Sequence, residues 1–312
     1  MNEIAAQKSP ERRMHLGQIT KGRQETPDRI LIFGVEGVGK SSWAAAAPSP
    51  VFVPAEEGTS QLDVARFPAP EKWTDILDAV DGLRVDKHEF KSIVFDTLDA
   101  IEPMLWRHIC ARDKKNGIEE YGYGKGYVAA LDEWRVFLSA LERLRRERSM
   151  NIIMIAHSMI RPFRNPEAED YDRYELKLHA KAGGLLKEWC DTVLFAHWET
   201  FAAKAGDSKA KGVSTGARIA STQRTAAWDA KNRHALPESI PLDYGEYERA
   251  KKLHAPRPIA ELKASIARKL KLLTDDEQRT RADAFVAKAG DNAAELAKAD
   301  NHLTALTERK ES

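Results

Sequence analysis

Arg29-Ile-Leu-Ile-Phe33 runs without a break into Gly34-Val-Glu-Gly-Val-Gly39-Lys40-Ser41, and Ser42-Trp-Ala-Ala-Ala-Ala47 follows before Pro48. A short apolar run rich in branched residues reads as a buried strand, and an Ala-rich segment closed by Pro as a short helix. The eight residues between them match GxxxxGK followed by Ser or Thr without a mismatch, in the strand-to-helix setting that this motif requires. Glycines let the backbone wrap a phosphate chain, and the helix N-terminus faces the anion. Lys40 supplies a point charge to the outer phosphates and Ser41 a hydroxyl for Mg2+. Gly34, Val35, Glu36, Gly37, Val38, Gly39, Lys40, Ser41 and Ser42 are thus the predicted nucleotide-binding residues, with ATP and Mg2+ as the expected cofactors.

Outward from this loop, Val51-Phe-Val53, Ser92-Ile-Val-Phe95 and Asn151-Ile-Ile-Met-Ile155 repeat the apolar strand pattern. Tyr127 to Arg148 carries Val128, Leu131, Trp134, Leu138, Leu141 and Leu144 at helical steps, which predicts an amphipathic crossover helix. Strand alternating with helix predicts an α/β fold with a mostly parallel central sheet. Thr192-Val-Leu-Phe195, Ala217-Arg-Ile-Ala220 and Ala226-Ala-Trp228 are further strand-like runs, and 204–216 reads as a mobile hairpin loop. Beyond Pro256 and Pro258 the composition turns helical: Ile259, Leu262, Ile266 and Leu270 share a face. Thr274-Asp-Asp-Glu277 reads as a capping box, and Gly290 as a stop. The expected organisation is a flexible extension over 1–28, an ATPase core over 29–250 and a helical tail over 251–312.

Composition bounds the function classes. The 312 residues hold 49 Lys and Arg against 48 Asp and Glu, a net charge of +1 that excludes an indiscriminate polycation. Mean hydropathy is −0.52, with no signal-like apolar N-terminus, so the expected location is the cytoplasm. The two cysteines, Cys110 and Cys190, lack metal-site spacing and read as reduced thiols.

Asp96 ends an apolar strand, the placement of a carboxylate that holds magnesium. Thr97 follows it rather than a Glu, and the GTPase motifs DxxG and NKxD are missing, so a hydrolytic base must lie elsewhere. Glu56, at the tip of the 51–53 strand, is the predicted base, with Glu57 the alternative.

Loop, Glu56, Asp96 and the strand tip Ile152-Ile-Met-Ile-Ala-His157, in this order, resemble the RecA-like recombinase and helicase ATPases over residues 29–245. Ala55-Glu-Glu-Gly58, Gly122-Tyr-Gly-Lys-Gly-Tyr127 and Ala230-Lys-Asn-Arg233 followed by Leu236-Pro237 are similar to phage-borne members, including Sak-type single-strand annealing recombinases. The resemblance implies a RecA-like P-loop core, a γ-phosphate sensor at His157, and Lys231 and Arg233 acting in trans on a neighbour's ATP. It therefore implies a homo-oligomer, ring or filament. It also implies single-stranded DNA binding, for which Tyr123, Lys125, Tyr127, Arg161 and Arg164 are the candidate contacts, cations for phosphates and tyrosines for bases. The 204–224 segment, with Lys204, Lys209, Lys211, Arg218 and Arg224 against Asp207, is either a DNA-facing hairpin or a solvated loop. The expected function is an Mg-dependent ATPase in phage recombination or replication. The alternative is a loader or switch that acts through a protein partner, a single-strand binding or replication protein docked on the tail. A small-molecule kinase is disfavoured, because no Arg-rich lid is present.

Overall fold

A computed structural model of the chain describes residues 15–20, 24–166, 169–203, 211–253, 257, 259–273 and 276–308. The elements of the core are β1 (Arg29–Gly34), α1 (Lys40–Ala45), β2 (Pro50–Pro54), β3 (Ala65–Arg66), α2 (Trp73–Val85), β4 (Ser92–Asp96) and α3 (Leu98–Arg112). They continue with α4 (Lys125–Arg148), β5 (Asn151–Phe163), β6 (Tyr171–Leu176), α5 (Ala180–Trp189), β7 (Thr192–Ala203), β8 (Lys211–Ser221), β9 (Lys231–Asn232), β10 (Ser239–Pro241) and α6 (Tyr244–Leu253). Along the sheet the order is β10-β8-β7-β1-β5-β4-β2-β3, with β7 through β3 mutually parallel and β8 and β10 antiparallel additions.

Alternation along the strands sorts the core into two faces. Leu31, Phe33, Val53, Phe95, Met154 and Phe195 point to a core closed by α2, α3, α4 and α5. Ile30, Ile32, Phe52, Val94, Ile155 and Leu194 point to a second core closed by α1 and α6. Burial on both faces is why these strands read as continuous apolar runs rather than alternating ones. The expected α/β fold with its mostly parallel central sheet is therefore present, as are helices at the C-terminal end: α7 (Ile259–Leu272), α8 (Asp276–Ala289) and α9 (Ala293–Glu308). These three build a separate core of Leu262, Ile266, Leu273, Leu296, Ala299 and Leu303.

The crossover helix α4 forms as expected, but its buried stripe is Ala130, Trp134, Phe137, Leu138, Leu141 and Leu144, with Val128 turned out to solvent. Three expectations are corrected. Ala226-Ala-Trp228 is no strand: Trp228 makes one isolated bridge to Tyr174, and its ring stacks on Phe195. Residues 211–216, read as loop, belong to β8, because pairing with β7 continues past the apolar run; residues 204–210 lie outside the described residues. The strand that carries His157 does not end at this residue, since β5 continues to Phe163 and turns back as β6. Of the capping box, Thr274 and Asp275 lie outside the described residues, while Gly290 follows α8 with φ 53°. Cys110 and Cys190 are both buried free thiols.

Asp28 fastens the entry of β1 to α6. It is 3% exposed, accepts from Lys251 and from the Tyr247 hydroxyl at 3.2 Å, and lies 3.4 Å from His234. Burial pushes its carboxyl up, but His234 and Lys251 outweigh that and hold it below the ordinary value.

Candidate nucleotide site

The parallel register sets Gly34 level with His157 on β5, and Asp96 level with Pro54 on β2 and Ile155 on β5. The strand ends that carry the loop, Asp96, Glu56 and His157 thus open at one edge of the sheet, where ligands of open α/β folds bind. β5 lies between the loop strand and the Asp96 strand, which places His157 in the middle of the group.

Gly39 is the N-cap of α1 with φ 104°, a left-handed conformation that a side chain would strain. Lys40 is 5% exposed, and its Nζ donates to the carbonyls of Gly34 at 3.1 Å and Val35 at 2.9 Å. Burial lowers its pKa, opposed by Asp96, Asp99, Glu36 and Glu56. Asp96 is 4% exposed; burial raises its carboxyl, and a hydrogen bond from Ser41 offsets part of the rise. Its Oδ2 is buried without a hydrogen-bond partner among the described residues. A buried carboxylate oxygen left open beside a hydroxyl ligand suits a hard divalent cation. Ser41 and Asp96 therefore fit the Mg2+ that the motif implies.

Glu56 accepts a hydrogen bond from the Thr97 hydroxyl and lies 3.7 Å from Nδ1 of His157. Glu57 is exposed and lies outside this group. Asp99, in the first turn of α3, takes the backbone N–H of His157 on one oxygen and Nδ1 on the other, both at 2.9 Å. The hydrogen bond to Asp99 raises the His157 pKa. Burial raises the Asp99 carboxyl, but the His157 bonds outweigh it and leave the carboxyl lowered. One turn further along α3, Glu102 accepts the N–H of His179 at 2.9 Å, and its Oε1 has no partner among the described residues. Burial pushes the Glu102 carboxyl up to about 7. The β5–β6 hairpin, which spans His157 to His179, is thus held at both stems by adjacent turns of one helix.

Other predicted residues fall in different settings. Tyr123 is fully exposed, and Lys125 and Arg164 are exposed. Tyr127 donates to Glu119 and stacks on His179 with centroids 4.1 Å apart, so this ring is engaged internally. Arg161 donates to the Leu178 carbonyl at 2.9 Å and lies 3.8 Å from Glu175. Lys231 and Arg233 sit at the opposite edge of the sheet from their own loop, since β9 pairs with the start of β7. Lys231 closes the end of α5 by donating to the carbonyls of Lys187 at 3.0 Å and Glu188 at 2.7 Å. Arg233 shares Asp191 with Arg29 at 3.0 Å, and its side chain is 54% exposed.

Three residues at the site carried no signal in the sequence. Asp99 and Thr97 reach His157 and Glu56 through the sheet order. Arg218, read only as part of a basic segment, brings Nη1 to within 3.4 Å of the Val38 carbonyl in the loop itself.

The sequence model of a family described as AAA domain matches residues 26–234. Among solved structures, the chain is similar to one described as the crystal structure of the RadB recombinase. The TM-score is 0.36 and the identity 14%, over 63% of this chain and 80% of that one. No curated protein matches.

Proposed function

The chain belongs to the AAA domain family, matched over residues 26–234, and on that premise we propose that it is an Mg2+-dependent ATPase that acts as an oligomer on single-stranded DNA, in phage recombination or replication. The observation that carries the ATPase reading is the open, buried Oδ2 of Asp96 beside Ser41 and Lys40 at the head of a glycine-capped helix. Loop N–H groups and Lys40 hold the phosphates, and Ser41 with Asp96 holds magnesium. Bound there, the ion supplies charge neutralisation at the outer phosphates.

Glu56, rather than Glu57, takes the proton of the attacking water. Its contact with Thr97 fixes the carboxylate next to His157. His157, clamped by Asp99, keeps Nε2 free to meet the γ-phosphate. Arg233 of a neighbouring subunit, half exposed here, neutralises charge that develops in the transition state, with Lys231 beside it. Tyr123, Lys125 and Arg164 are the exposed groups available to a nucleic-acid strand, whereas Tyr127 and Arg161 must first leave internal partners.

Titration with labelled single-stranded DNA at two salt concentrations, with and without a non-hydrolysable ATP analogue, tests the reading. Binding should need the analogue and weaken with salt at a log–log slope of about −0.7 per neutralised phosphate. If no analogue-dependent binding appears at low salt, the DNA assignment is lost. Lys40→Ala should remove nucleotide binding, while Glu56→Gln should retain it and lose turnover by about a hundredfold or more. One observation favours the loader or switch reading: α8 and α9 leave a groove floored by Ala282, Val286, Ala299 and Leu303, with Phe285 42% exposed at its side. Retained ATPase activity without DNA affinity would select it.

A further inference from the structure

The β7–β8 ribbon carries the sheet past the loop on the side away from Glu56 and Asp96. Ala196 of β7 is level with Gly34 of β1 and faces Ala220 of β8; two residues further out, Trp198 faces Arg218. Ala196 and Ala220 belong to the core beneath α1. Residues two apart on a strand share a face, and directly opposed residues on neighbouring strands stand side by side. Trp198 and Arg218 therefore project as a pair on the α1 face, one step beyond the end of β1.

Arg218 shows how close that position is to the loop. Besides its 3.4 Å approach to Val38, its Nη1 would lie 2.7 Å from a Cβ on Gly39. Arg218 is an exposed residue and has no carboxylate partner among the described residues. Trp198 is 37% exposed and meets no other aromatic ring among the described residues. An open indole beside an uncompensated cation that reaches the phosphate loop matches a ligand that is planar at one end and anionic at the other.

The direction of the ligand follows from the sheet order. Glu56, Asp96 and His157 gather on β2, β4 and β5, so the γ-phosphate lies on that side of the loop. The rest of the nucleotide must then run toward β7 and β8. We propose that Trp198 and Arg218 form the nucleoside end of the site: the indole stacks on the base, and the guanidinium pairs with the phosphate nearest the ribose. This rests on the nucleotide reading of the loop.

Calorimetric binding of ATP and of inorganic tripolyphosphate, each with magnesium, to the full chain separates the parts. Trp198→Ala should weaken ATP about tenfold or more, the usual scale for loss of a base stack, and leave tripolyphosphate unchanged; Trp198→Phe should recover most of the loss. Arg218→Ala should weaken both ligands. Lys40→Ala should lose both, which tests the underlying reading separately. Unchanged ATP affinity in Trp198→Ala, or equal losses for both ligands, overturns the proposal while the nucleotide reading stands. Wild-type protein that binds neither ligand overturns both.

Discussion

Glu102 shows how much a single side chain can set the pH response of this molecule. Burial pushes its carboxyl up to about 7 from an ordinary value of 4.5. The folded state therefore keeps a proton that the unfolded chain has lost. Stability from this group is complete below about pH 4.5 and is lost as the pH rises through about 7, a change on the order of 3 kcal/mol. Glu102→Gln preserves an acceptor for the His179 N–H and removes the charge. Denaturant unfolding at pH 8 should find the variant more stable by roughly 2–3 kcal/mol, and at pH 4 nearly unchanged. Equal effects at the two pH values would rule the buried carboxyl out as the source. Asp99 makes a different claim. Asp99→Asn can no longer take Nδ1–H of His157 as a carboxylate, so the ring loses its fixed tautomer. Turnover should fall about tenfold or more while ATP affinity moves little, because Asp99 positions His157 and lies outside the phosphate contacts. A matching loss of affinity would instead make Asp99 a support of the loop.

At the scale of elements, the parts that the sequence made legible are those defined by neighbours in the chain. The strand, glycine loop and short helix of residues 29–47 follow from local pattern, and so do the tips that carry Asp96 and Glu56. What stayed hidden depends on strand order. Asp99 meets His157 across 58 residues, and Arg218 meets Val38 across 180, contacts that exist only because β5 lies beside β4, and because β7, with β8 paired to it, lies beside β1. The same holds for Asp28, which reads as the last residue of a polar extension yet ties β1 to α6. Since its folded pKa is lowered, the stability it contributes is full above its unfolded value near 3.8 and drains as the pH falls through the folded one. Asp28→Asn should remove that part of the acid-induced loss. It should also cost about 1–3 kcal/mol near neutrality, because Lys251 then keeps only Glu248 as a carboxylate partner. Acid titrations of wild type and variant that run parallel would refute the assignment.

At the scale of the whole molecule, the described residues form three apolar cores, two sharing the sheet and one confined to α7, α8 and α9. Truncating Trp134, fully buried against Trp73 and Phe137, should cost about 3–5 kcal/mol and weaken the sheet core. Leu303→Ala should cost about 2–5 kcal/mol and act on the helical tail. Hydrogen exchange should report the first loss over the sheet strands and the second over α7 to α9; protection lost together in both variants would mean that the cores fold as one unit. No helix among the described residues is long and apolar enough to cross a membrane. The two thiols add a practical consequence. Cys110 and Cys190 are both buried, and burial pushes both thiols up, so the reactive thiolate is scarce at neutral pH. The native chain is therefore almost silent to maleimides. Tyr123→Cys, at a fully exposed loop tip, would provide one fast-reacting handle on which to hang a fluorophore, with neither native cysteine removed.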